Sequence, residues 1–167
     1  FRGTLHPMWT ESARVYALDP TQPDVREHLR GLFSDLVEMG FDYLKLDFLH
    51  TVSARAHAAD ARISRSMRLR QGLGAIREGA GEKAFLLGCG CPLGPAVGIV
   101  DGMRIGPDVA PSWLPPSSAI PGIEEAFPST YGAVRSILSR AWMHRRLWLN
   151  DPDCLMARTT DTELTES

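Results

Sequence analysis

The chain has 167 residues, of which 44% are hydrophobic and 23% charged, the make-up of one soluble globular domain. A net charge of −2 with both signs mixed along the chain excludes the clustered basic face that nucleic-acid binding needs. No apolar run is long enough to cross a bilayer, so neither a nucleic acid nor a membrane is an expected partner.

In chain order, an opening segment over 1–22 ends in Val15-Tyr16-Ala17-Leu18-Asp19-Pro20. A helix is predicted over 23–39. Pro23 suits the first helical position, Asp24 and Glu27 suit the positive end of the helix dipole, and Gly40 stops the helix. Val25, Leu29, Leu32, Phe33, Leu36 and Val37 recur at helical spacing and form its apolar side. A short strand follows over 42–48, then a loop rich in Ala and His, then a helix over 62–78. The arginines at 62, 65, 68, 70 and 77 read as one solvated side of that helix. A second strand, over 84–87, runs into the turn Gly88-Cys89-Gly90-Cys91-Pro92-Leu93-Gly94. The third covers 102–106 and leads to Pro107-Asp108, and a Pro-rich loop occupies 109–128. Tyr131, Val134, Ile137, Leu138 and Trp142 mark another amphipathic helix, with Trp142 expected in the core. The last strand, over 147–150, ends in Asp151-Pro152-Asp153.

Strands alternating with helices imply an α/β fold with parallel strands. Each strand ends in a polar or Gly/Pro-rich cluster on the strand-to-helix side. In such folds these clusters share one face, where active sites form. A (β/α)8 TIM barrel needs about 250 residues, so the chain reads as part of one. It begins at Phe1 and stops at Ser167 in an acidic segment that looks like the start of a helix. A fragment is the expectation, inactive when taken alone.

Two charged pairs stand out. Lys45 and Asp47 are two apart on a strand and point to one face, while Leu44, Leu46 and Phe48 take the helix-covered face. Leu87, Phe85 and Leu149 are expected to be covered in the same way. A strand buried on both sides should be nearly all hydrophobic, so two opposite charges on an inner face call for a reason. A buried ion pair that only fixes the fold is a poor stabiliser, and the position at the strand's carboxyl end favours function. Arg104 and Asp108 repeat the arrangement one strand later. Asp101, at the opening end of that strand, reads as structural. Two carboxyls facing one cleft suit glycoside hydrolysis, and in its retaining form they lie about 5–5.5 Å apart. Lys45 would keep a nucleophilic Asp47 ionised. An acid at Asp108 must hold a proton, so Arg104 is expected to reach sugar hydroxyls or Asp47 instead of Asp108.

Four motifs, in order, resemble clan D of the glycoside hydrolases, the α-galactosidases of families 36 and 27. Tyr43-Leu44-Lys45-Leu46-Asp47-Phe48 resembles the nucleophile strand, the fourth of the barrel. Gly88-Cys89-Gly90-Cys91-Pro92-Leu93 resembles the sugar-binding turn after the fifth. Met103-Arg104-Ile105-Gly106-Pro107-Asp108-Val109, with Ser112-Trp113, resembles the acid/base segment after the sixth. Trp148-Leu149-Asn150-Asp151-Pro152-Asp153 resembles the seventh-strand turn. The segment Ala17-Leu18-Asp19-Pro20-Thr21 is similar to family 36 ahead of the fourth strand. The resemblance runs from about Tyr16 to Arg158. It implies strands 4 to 7 of a catalytic barrel whose other strands and flanking β-sandwich domains lie outside 1–167. It also implies Asp47 as nucleophile, Asp108 as acid/base, and Lys45, Cys89, Arg104 and Asp153 along the sugar site, while Trp113 after the acid/base loop reads equally as a sugar-stacking residue or a loop anchor. The substrate would be an α-galactoside oligosaccharide or glycoconjugate, cleaved without metal or other cofactor, by a full-length protein that can be a homo-oligomer. Transfer of galactose to an acceptor, as in raffinose-synthase-like relatives, uses the same residues, and a non-catalytic carbohydrate-binding barrel fragment is a further alternative. The sequence departs from family 27 at Gly90, where a Glu reads the sugar's 2-hydroxyl.

The remaining candidates have plainer readings. Cys89, Cys91 and Cys154 are an odd set that forms neither a disulfide framework nor a zinc pattern. Reduced thiols imply a cytoplasmic location. His6, His28, His57 and His144 show no ligand spacing, and His50 reads as a loop histidine near the cleft. Trp9 has no assigned role. Gly72-x-Gly74 lies within a helix and is no dinucleotide fingerprint.

Overall fold

Helices and strands alternate along the chain in the computed structural model, which describes residues 17–53, 58–116, 127–154, 156 and 160–164. The segments 1–16, 54–57 and 117–126, with His6, Trp9 and His57, lie outside the described residues; of the acidic segment before Ser167, residues 160–164 are described and form no helix, contrary to expectation. Two compact units divide the chain, Phe1–Gly102 and Met103–Ser167.

The first unit contains α1 (Pro23–Glu38), β1 (Tyr43–Leu46), α2 (Arg65–Ala80), β2 (Phe85–Gly88) and the short α3 (Leu93–Ala96). Pro23 opens α1, and Gly40, with φ of 99°, follows its end. Ser64 caps α2, its hydroxyl accepting from the Met67 N–H. Gly81, with φ of 67°, ends that helix. Strand β1 pairs in parallel with β2, with Leu44 opposite Leu86 and Lys45 opposite Leu87. Burial alternates along β1, Leu44 and Leu46 inside, Tyr43 and Lys45 outside.

This register corrects the reading of β2. Directly paired residues share a face, so Leu86 joins Leu44 on one side. Phe85 and Leu87 lie on the side of Tyr43 and Lys45, and Phe85 stacks flat on Tyr43 at 5.2 Å. Phe48 does not continue the buried row of β1. Its φ of 55° turns the chain out of the strand and leaves the ring half-exposed.

The arginines of α2 also differ from expectation. Arg62 lies ahead of the helix and is solvated, but Arg68 is buried and bonded to the Ile63 carbonyl. Arg77 reaches the carbonyls of Ile99, Gly81 and Ala84 and pairs with Asp101. Asp101 in turn accepts the Leu86 N–H, so its structural reading holds. These guanidiniums fill the carbonyl-rich ends of the elements around them, which spacing along one helix does not show.

The second unit contains β3 (Gly102–Arg104, its first residue in the first unit), α4 (Thr130–Arg140) and β4 (Leu149–Asp151). Strands β3 and β4 are neighbours, and the Ile105 N–H donates to the Asp151 carbonyl. A Cβ on Gly106 would lie 2.7 Å from the Ser136 Cβ, so the turn after β3 packs directly on α4. Arg140 of α4 also donates to the Ile105 carbonyl. Trp148 is buried, while Leu149 is exposed, the reverse of the expected phase. Trp142 and Leu138 are exposed as well, so the expected core position of Trp142 is not observed.

Helices α1 and α2 meet closely in the first unit. A Cβ on Gly79 would lie 2.2 Å from the Arg30 carbonyl oxygen, whereas one on Gly74 would meet nothing within 4 Å. Gly-to-Ala inside a helix ordinarily gains about 1 kcal/mol, and overpacking costs about 1–3 kcal/mol. Gly74→Ala is therefore expected to stabilise the protein against urea and Gly79→Ala to destabilise it, by roughly 2 kcal/mol if overpacking dominates. Equal shifts of the two urea midpoints would show that this contact does not constrain the helix pair.

Candidate active site

In the first unit, the ends of β1 and β2 bring Asp47, Lys45 and Cys89 together. The Cys89 N–H donates to the Leu46 carbonyl at 2.8 Å, which sets the two strand ends level. Asp47 Oδ1 accepts the Phe48 N–H at 2.7 Å, and Oδ2 lies 3.6 Å from Lys45 Nζ. The buried Cys89 thiol bonds to the same carboxylate. Burial works to raise the Asp47 carboxyl. The Phe48 N–H, the Cys89 thiol and the Lys45 ammonium together outweigh it and hold the group below its usual range. Asp47 stays 39% exposed, so a carboxylate kept ionised is still open to a reacting partner.

Behind it, the two turns are bolted together. The His50 N–H donates to the Gly90 carbonyl at 2.7 Å, and His50 Nδ1 lies 3.2 Å from the same oxygen. His50 thus holds the turn after β2. Gly90 has φ of 52°, and a Cβ there would lie 3.3 Å from His50 Nδ1 and 3.4 Å from the Phe48 backbone. Any side chain at this position would meet both strain and crowding.

In the second unit, Arg104 gathers three carboxylates. NH1 donates to Asp108 Oδ1 at 2.8 Å and Nε to Asp151 Oδ2 at 3.0 Å, while NH2 lies 3.0 Å from Asp153 Oδ1. The side chain is only 8% exposed, against 68% for Asp108. The expectation that Arg104 would avoid Asp108 is therefore overturned. The turn through Gly106 and Pro107 is short, and it brings the fourth residue onward back to the guanidinium. Asp153 is engaged through both oxygens, since Oδ2 accepts the Val109 N–H at 2.9 Å. The Asp108 carbonyl accepts from the Ser129 N–H, at the start of α4. Trp113 is half-exposed and meets Tyr131 edge-on at 5.7 Å.

Asp151 had no role assigned from the sequence. The available signal was a second acid two residues from Asp153, beside a neighbouring strand that carries an arginine. Among the described residues, no group of three or more His, Cys, Asp or Glu is arranged to hold a metal ion.

The alternating strands and helices form an α/β fold that solved structures match as part of a barrel. The α-galactosidase TtGalA of Thermus thermophilus, solved with stachyose, is 35% identical with a TM-score of 0.74 over 90% of this chain. A second structure of that enzyme, with p-nitrophenyl α-D-galactopyranoside, gives the same identity and TM-score. α-Galactosidase I of Mortierella vinacea, at 20% identity and a TM-score of 0.52 over 75% of this chain, supports the fold alone. The chain spans about a third of the length of these structures, 31%, 30% and 33%. No protein-family model matches. The chain is thus similar to α-galactosidases of glycoside hydrolase family 36 over about a third of their length, and its fold is part of a (β/α)8 barrel.

The cysteines offer a test of the local geometry. Burial first, and Cys89 second, push the Cys91 thiol up to about 12. Only about 10⁻⁴ of it is then thiolate at pH 8, and the thiolate is the reactive form. Cys154 is exposed. Iodoacetamide at pH 8 is expected to label Cys154 first and to leave Cys89 and Cys91 until the protein is unfolded, as read by peptide mass mapping. Early labelling of Cys91 would contradict its placement.

Proposed function

We propose that the protein carrying this chain cleaves terminal α-galactosides with retention of configuration. The observation that supports this most is the Asp47 carboxylate, held ionised by Phe48, Cys89 and Lys45 at the end of β1. It occurs in a chain 35% identical to an enzyme solved with stachyose and with an aryl α-galactoside. In this reading Asp47 attacks the anomeric carbon as the glycosidic bond breaks, and Asp108 gives its proton to the leaving oxygen. The product is a galactosyl ester of Asp47. Water then attacks the same carbon, Asp108 takes its proton, and Asp47 leaves as the carboxylate. The Arg104–Asp108 ion pair suits the second half of this cycle, when Asp108 works as an anionic base. Substrates are α-galactoside oligosaccharides, with Lys45 and Cys89, beside Asp47, as contacts of the galactose.

Asp47→Gly in the intact protein is expected to abolish turnover of p-nitrophenyl α-galactoside while leaving the fold in place. Added azide should restore release of the aryl group and give a galactosyl azide of inverted configuration, because a small anion fills the vacated place. Near-normal activity without azide would mean that Asp47 is not the nucleophile.

The electrostatics predict a pH signature. Asp47 must be ionised to attack, and its value is lowered, so activity persists as pH falls until that lowered value is crossed. The acid limb of kcat/KM is thus expected below the ordinary carboxylate value of about 3.9. Lys45→Met removes one of the groups that lower it and should move that limb to higher pH. An acid limb that stays in place would show that Lys45 does not act on Asp47.

A further inference from the structure

We infer that Asp151 is a positioning residue, which fixes Arg104 and through it the acid/base Asp108. This inference rests on the hydrolase reading above and assigns a role to a residue that does not touch the reacting atoms.

Arg104 uses each of its three nitrogens on a different carboxylate, and the two partners other than Asp108 come from a single turn at the end of β4. Asp151 sits at the centre of that turn. Its Oδ2 accepts Arg104 Nε, its Oδ1 accepts the Asp153 N–H at 2.9 Å, and its carbonyl accepts the Ile105 N–H at 3.0 Å. The same side chain therefore orients the guanidinium directly and holds the residue that orients its far end. Asp153 has φ of 75°, a conformation that needs such support. Asp151 and Asp153 are 26% and 20% exposed, against 68% for Asp108. The two more buried acids fix the arginine, and the exposed one receives what the arginine presents. A planar guanidinium held at Nε and NH2 has no freedom left in the direction of NH1. Asp108, on a turn whose carbonyl is tied to Ser129, is thereby held at one point of its side chain and one of its backbone.

Both carboxylate oxygens of Asp151 are acceptors, so Asp151→Asn keeps the shape but must lose one of the two bonds. A misplacement of about 1 Å in a reacting group costs roughly 10²-fold. In the intact protein, Asp151→Asn is therefore expected to lower kcat/KM on stachyose about 10²-fold. On p-nitrophenyl α-galactoside, whose leaving group needs little protonation, the loss should stay below about 10-fold. In an Asp108→Ala background, Asp151→Asn should add no more than about 3-fold on stachyose, because residues acting on one group are not additive. Equal losses on the two substrates, or a full further loss in the Asp108→Ala background, would overturn the assignment. Should Asp151→Asn not fold, Asp151→Glu takes its place in the same comparison, since the longer side chain keeps the charge but shifts the Arg104 fork. A protein that cleaves neither substrate before mutation would remove the hydrolase reading alone. A crystal structure of Asp151→Asn then decides the positioning role: Arg104 turned away from Asp108 supports it, and an unchanged ion pair overturns it.

Discussion

The parallel register of β1 on β2 is the constraint from which the first unit's chemistry follows. Once Leu44 lies opposite Leu86, the Leu46 carbonyl must take the Cys89 N–H, and the two strands end level. The next residue on β1 is Asp47 and the next on β2 is Cys89. Their side chains meet because their backbones are already in step. A slip of one residue would move every side chain to the other face. It would bury Lys45 and break the thiol–carboxylate contact together.

The second unit solves a different problem with a single cation. Three carboxylates lie within reach of Arg104, and one guanidinium cannot neutralise all of them. Breaking a buried pair costs far more than forming one gains, so such a cluster persists only where every bond is satisfied. Asp153 meets that demand through Arg104 and the Val109 N–H, and Asp151 through Arg104 and the Asp153 N–H. The tie between β3 and β4 is thus electrostatic as well as backbone-mediated.

Much of this was legible from residue types. Pro23 and Gly40 act through backbone geometry alone, so the ends of α1 fall near their positions. The charges at Lys45, Asp47, Arg104 and Asp108 stand out because buried strands are otherwise apolar. The phase of β2 was not legible, since Phe85-Leu86-Leu87 is apolar throughout and carries no alternation. Nor was the burial of Arg68 or the half-burial of Arg77, because the carbonyls they satisfy come from residues outside their own helix. Spacing marked Leu138 and Trp142 as one side of a helix, although α4 ends at Arg140, ahead of Trp142. It could not say whether anything lies against that side, and both are exposed. The role of Asp151 depends on a contact 47 positions away, which no local pattern encodes.

Phe48 carries a consequence of its own. A left-handed conformation at a residue with a Cβ costs about 1–2 kcal/mol, and Phe48 sits in one directly after Asp47. That cost is comparable to a sizeable share of the margin by which a domain stays folded. It is met by bonds on either side, from the Phe48 N–H to Asp47 and from the His50 N–H to Gly90. The peptide following Asp47 is therefore a loaded spring held by two latches, and one of those latches is the Asp47 carboxylate itself. Any change that takes negative charge off Asp47 weakens its grip on the Phe48 N–H and gives the strained backbone leverage there.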